Sequence, residues 1–90
     1  MVKTTKLRIF RMKYHITLVE LAKLAGISHQ YLNYIERGEN RPSKAQQKNV
    51  ANAFGRLIEQ RKQALCELSR EFNTHKDSLL IPMEVESDEF

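Results

Sequence analysis

Little in these 90 residues supports chemistry on a small molecule. A single cysteine, Cys66, excludes an internal disulfide. No run approaches the ~20 consecutive apolar residues needed to cross a bilayer, so no membrane association is expected. The N-terminal stretch MVKTTKLRIFRMKYH is basic but lacks the apolar run and small-residue cleavage site of a secretory signal, and a reduced, cytoplasmic protein is the resulting expectation. There is no Gly-rich phosphate loop, and His15, His29 and His75 have no metal-ligand spacing with Cys66. No carboxylate pair falls in a definable cleft. Neither an enzyme, a metal nor a cofactor is expected, and Cys66, within a helical stretch, reads as a small packing residue. Internal repeats and low-complexity runs are also missing.

What is present is a modest apolar fraction, 41%, enough for one small core with appendages, and an uneven charge distribution. All 15 Lys and Arg lie in residues 1–76 with 6 of the 11 acids, so that part carries 15 − 6 = +9 while residues 77–90 carry −5. A body this basic suits a polyanion, because each cation placed on a phosphate releases condensed counterions; a merely solvated surface is the plainer alternative.

Helical signals follow one another closely. Leu7, Phe10, Met12 and Tyr14 predict a first helix over about residues 5–14, with Thr5 as its cap. Thr17 stands three before Glu20, a reciprocal capping box that opens a second helix running to about Leu24. Ala25, Gly26 and Ile27 make a turn, Ser28 caps a third helix, and Gly38 stops it before the polar loop ENRP. Ser43 with Gln46 opens a fourth. From Lys44 to Phe72 there is no proline, and the residues after Gly55 offer no new cap. A continuous or kinked helix is therefore favoured over a break at Gly55, with Asn73 and Thr74 able to end it. After that, Pro82 and a cluster of acids predict an extended or flexible tail, although SLLIPMEV is apolar enough to dock.

The third helix, within ISHQYLNYIERGENRPS, holds an unusual density of hydrogen-bonding groups for so short an element. Two short helices joined by a glycine turn, followed by a basic loop, form the DNA-binding helix-turn-helix arrangement. Over residues ~6–54 the chain closely resembles the phage-repressor, Cro and XRE-type family: Leu21, Ala22, Ala25, Gly26, Ile27, Ser28, Tyr31, Leu32, Ile35, Glu36, Gly38, Pro42 and Ser43 stand in family order. The resemblance implies an all-α, lambda-repressor-like domain, here with an extended C-terminal helix.

It also implies roles. His29, Gln30, Asn33 and Tyr34 occupy positions that reach DNA bases, with Tyr31 at their border, where partial packing is the alternative. Gln30 can bond adenine bidentately; the Tyr rings can meet a thymine methyl or a phosphate. Thr17, Arg37, Asn40, Arg41 and Lys44 are the phosphate candidates, at the start of helix two and in the loop after helix three. Lys3, Lys6 and Lys48 would add diffuse attraction or simply be solvated. Arg11 and Glu36 are assigned by resemblance to a structural ion pair. Three departures bear on these roles: Leu18 where a phosphate-binding Gln is common, His15 where Gly often stands, and a long helix after Phe54 in place of a compact fifth one.

One motif contacts one half-site, so a dimer is expected, with the stripe Leu57, Ile58, Leu65, Leu68 and Phe72 as its contact; packing back onto the first helix is the alternative. The organisation expected is a DNA-binding domain over 1–55, a dimerisation helix over 56–73 and an acidic tail over 74–90. The function implied is a sequence-specific transcriptional regulator, a dimeric repressor on double-stranded palindromic DNA. An antitoxin whose tail binds a toxin protein, or a restriction-modification controller, would share this sequence pattern.

Overall fold

The computed structural model describes residues 3–85, which form four helices: α1 (Lys6–Lys13), α2 (Leu18–Ala25), α3 (His29–Glu36) and α4 (Lys44–His75). Among the described residues there is no strand. Each helix start is fixed locally. The hydroxyls of Thr5, Thr17, Ser28 and Ser43 accept from the backbone N–H three residues on, at 3.4, 3.1, 3.1 and 3.1 Å. Each such cap is worth about 1 kcal/mol against Ala. Glu20 completes the capping box by accepting from the Thr17 backbone N–H at 2.8 Å.

Three left-handed residues turn the chain between helices, Gly38 after α3 and two earlier. Gly26 (φ +69°) closes α2, and its neighbour Ile27 returns a bond to the Ala22 carbonyl at 3.1 Å. His15 (φ +56°) turns the chain from α1 into α2. A side chain in that region costs roughly 1–2 kcal/mol relative to Gly. The departure at position 15 thus keeps the backbone shape and accepts the strain.

α2, α3 and the first half of α4 enclose the core. Ile16, Leu21, Ala22, Ala25, Leu32, Val50, Ala53 and Leu57 are buried together, with Leu7, Leu18, Leu24, Ile27 and Phe54 packed around them. Leu57 therefore belongs to the domain's own core, which corrects its assignment to the dimer stripe: it has no surface left for a second copy. Long-range polar bonds lock the arrangement. The Asn49 side-chain amide donates to the Ala25 carbonyl at 2.7 Å, tying α4 to the end of α2. Arg61 donates to Glu20 at 3.0 Å, and its other contacts, at 3.5 Å, are the carbonyls of Tyr14 and His15 that close α1.

α4 is continuous through Gly55, so there is no hinge. Thr74 donates back to the Arg70 carbonyl at 3.0 Å, and the helix passes Asn73 and Thr74 to end at His75. Residues 74 and 75, expected in the tail, are helical; a turn follows, in which the Ser78 N–H bonds the His75 carbonyl at 2.9 Å. The last part of the acidic tail, residues 86–90, lies outside the described residues. From residue 58 to residue 85 every position is exposed, so the second half of α4 projects from the domain, tied to it at its base by Arg61.

Candidate nucleic-acid interface

Ser28 and Gly26 set where α3 begins, and its own periodicity decides which way it faces. Leu32, Ile35 and Glu36 turn inward and are buried; His29, Gln30 and Tyr34 turn outward and are exposed; Asn33 and Tyr31 lie half-buried at the edges. Positions 29 and 33, and 30 and 34, are one helical turn apart, so the four polar side chains form one face. That face has the donors and acceptors needed to read base edges, and the narrow width of a single helix that fits a major groove.

The back of α3 is pinned by a charge. Glu36 is fully buried, and Arg11 of α1 grips it with three bonds: Nε at 2.8 and 3.1 Å and Nη2 at 2.9 Å. Its remaining arm, Nη1, donates to the Ile16 carbonyl at 3.0 Å. The Thr5 hydroxyl donates to the Glu36 carbonyl at 3.0 Å, so the start of α1 holds the end of α3 as well. No buried side-chain polar atom among the described residues lacks a partner. Such a pair orients more than it stabilises, but removing one member leaves the other charged and buried.

The phosphate candidates fall into two groups in space. Arg37, Asn40, Arg41 and Lys44 are all exposed along the loop that follows α3 and the start of α4. Gly38 (φ +72°) shapes this loop, and Arg37 makes only a loose surface pair with Glu39 at 3.4 Å. Thr17 is different. It is exposed at the start of α2, but its hydroxyl donates to Glu20 at 2.9 Å, so its one proton is already committed. Beside it, Leu18 is half-buried against the core rather than turned outward. Glu20 is held below the usual carboxylate range, first by the Thr17 backbone N–H and, against some desolvation, by the Arg61 guanidinium.

Lys3, Lys6 and Lys48 are exposed and add to the positive surface. The sequence assigned no role to Arg61 or Asn49, although Arg61 interrupts the apolar stripe. Their only signal is a polar residue within or beside an otherwise apolar stripe, Arg61 between Ile58 and Leu65 and Asn49 next to Val50. No cluster of three or more His, Cys, Asp or Glu gathers among the described residues, and none of their helices is long and apolar enough to cross a membrane.

A profile of the family described as Helix-turn-helix matches residues 7–60. Two proteins of Archaeoglobus fulgidus, both described as uncharacterized HTH-type transcriptional regulators, are 36% and 33% identical over 55 residues. Each match takes in 61% of this chain, and 79% and 78% of the relatives' lengths. No solved structure matches.

Proposed function

The chain belongs to the XRE/Cro-type helix-turn-helix family of DNA-binding transcriptional regulators, and from that premise we propose that it is a dimeric repressor that reads a palindromic operator with the outward face of α3. The observation that carries this reading is the division of α3 itself: His29, Gln30 and Tyr34 are exposed on a helix whose other side is fixed by Leu32, Ile35 and the buried Glu36. His29, Gln30, Asn33 and Tyr34 contact bases, with Tyr31 at the edge of the contact. Arg37, Asn40, Arg41 and Lys44 hold phosphates, and at α2 the first-turn amides serve this purpose more readily than the committed Thr17 hydroxyl. Repression follows from occlusion of a promoter by the bound dimer.

The test is an anisotropy titration on an operator selected from random DNA, beside non-specific duplex. Gln30→Ala loses about 1–3 kcal/mol on the operator and little on random sequence, whereas Arg41→Ala weakens both alike and reduces the salt dependence. Equal losses on both duplexes for Gln30→Ala would rule out base reading by that residue.

A second reading draws on the C-terminal segment, where Leu80 is 96% exposed beside exposed Ile81 and Met83 and an acidic cluster. That composition supports an antitoxin whose tail covers a basic toxin. Co-expression of a neighbouring gene product that copurifies through residues 79–90, and is lost on their deletion, separates it from the first reading.

A further inference from the structure

The projecting half of α4 has apolar surface that the described residues do not cover. Phe10, Tyr14, Phe54, Ile58 and Leu65 line a groove of ≈ 650 Å³ with Arg61 at its rim. Farther out, Leu68 and Phe72 continue the same side of α4 at 60% and 48% exposure. Within α4, positions 58, 65 and 72 are Ile, Leu and Phe at intervals of seven, with Leu68 between the last two, which is the seam of a helix pair. Beyond Arg61, the 14 remaining residues of α4 make no hydrogen bond or ion pair to another helix among the described residues, and a helix of about 12–15 residues alone in water is marginal.

Resting on the dimeric reading above, we propose that α4 of a second copy covers this surface, running antiparallel, with Phe72 of each copy seated in the groove of the other. Shape decides the direction. One end of the seam is concave, at Phe10, Tyr14 and Ile58, and the other is a free aromatic, Phe72. Twofold symmetry requires that if one patch meets another, the reverse contact also forms. An antiparallel pair satisfies both ends at once, while a parallel pair sets groove against groove and Phe72 against Phe72, with the two domains competing for the same space.

The register follows from the seam. Leu65 opposite Leu68 forms the two central layers and sets Phe72 level with Arg61, beside the groove, where the guanidinium can lie over the ring. On the flanks Lys62 meets Ser69 and Ala64 meets Glu71, so no like charges oppose each other and small residues allow close approach. Phe10, Tyr14, Ile58, Leu65, Leu68 and Phe72 are each about half exposed. Covering them removes roughly 500–600 Å² per copy, and the polar rim brings this near the ~800 Å² per partner of a stable interface. In this register the two Leu57 residues, the last of α4 buried in their own domains, lie about 29 Å apart along the pair. That matches the order of the ~34 Å between adjacent half-sites on one side of a duplex.

Pulsed electron resonance on the full chain tests this, using the native Cys66, which is exposed and next to the symmetry axis in this register. Nitroxides are placed on Cys66 and, with Cys66→Ser, on Glu59→Cys and on Thr74→Cys. The shortest separation is expected at 66, with an added axial offset of about 22 Å at both 59 and 74. Equal separations at all three sites mean a parallel pair and overturn the proposal. A dimer by sedimentation without dipolar coupling at any site puts the contact elsewhere, overturning this geometry while leaving the dimeric reading intact. A monomer at operator-binding concentrations overturns both. The groove has its own readout: Tyr14→Ala, 59% exposed in the single copy, should raise the dimer dissociation constant at least about ten-fold, and an unchanged constant would show the groove empty.

Discussion

The two halves of α4 obey the same local rules and end in opposite situations. Both are helical, both carry apolar residues at spacings of three and four, and no proline or cap separates them. Yet Leu57 is 3% exposed and Leu68, eleven residues on, is 60% exposed. Helical periodicity thus states that a face wants to be covered without stating by what. The first half is packed on α2; the second is left exposed by the described residues.

The sharpest way to break this comparison is to truncate the same residue type in both halves. Leu57→Ala should cost about 2–5 kcal/mol in urea unfolding of dilute, monomeric protein, from lost transfer energy plus a cavity. Leu68→Ala should leave that unfolding within about 0.5 kcal/mol, its effect surfacing only as a change in concentration-dependent association. Equal costs in the dilute protein would mean that the projecting half packs onto the domain.

A smaller effect probes the junction. Gly55 is helical, and a Cβ added there would meet nothing within 4 Å. Gly55→Ala should therefore raise the melting free energy by about 0.5–1 kcal/mol without altering the α4 geometry. A loss of stability would indicate that the helix bends there in solution.

The tie between α2 and the second half of α4 is electrostatic. Glu20 is held below its ordinary range, so its contribution to stability is complete above the unfolded carboxylate value, near 4.3, and fades as pH falls through the lower folded value. Chemical denaturation between neutral pH and acid should show this small decline in the parent and a flatter profile in Glu20→Gln. Arg61→Met should flatten it less, because the Thr17 backbone N–H is the larger cause.

Much of the fold was legible because its signals are local. Thr5, Thr17, Ser28 and Ser43 each sit three residues before the amide they cap, and Gly26 sits where a positive φ is needed. The absence of a cap after Gly55 correctly favoured a continuous helix. Arg61 with Glu20 and Asn49 with the Ala25 carbonyl were not legible, since partners 41 and 24 residues apart leave no mark in either local pattern. The pairing of Arg11 with Glu36, 25 residues apart, came from resemblance for the same reason. Leu57 shows the limit of periodicity, because its own core and a partner's surface select the same residue types. On α3 the polar face was readable from the amino acids, whereas the commitment of the Thr17 proton to Glu20 needed coordinates.

The unbroken path of α4 also sets a rule for how this chain could change its length. Each residue added between Ile58 and Leu65 would swing the outer leucines and Phe72 by about 100° around the helix axis relative to the domain. Single insertions therefore move the exposed seam off its bearing, and seven together return it to within about 20°. Viable length variants of such a chain would be quantised in whole heptads, each shifting the tip by about 10 Å while preserving its bearing.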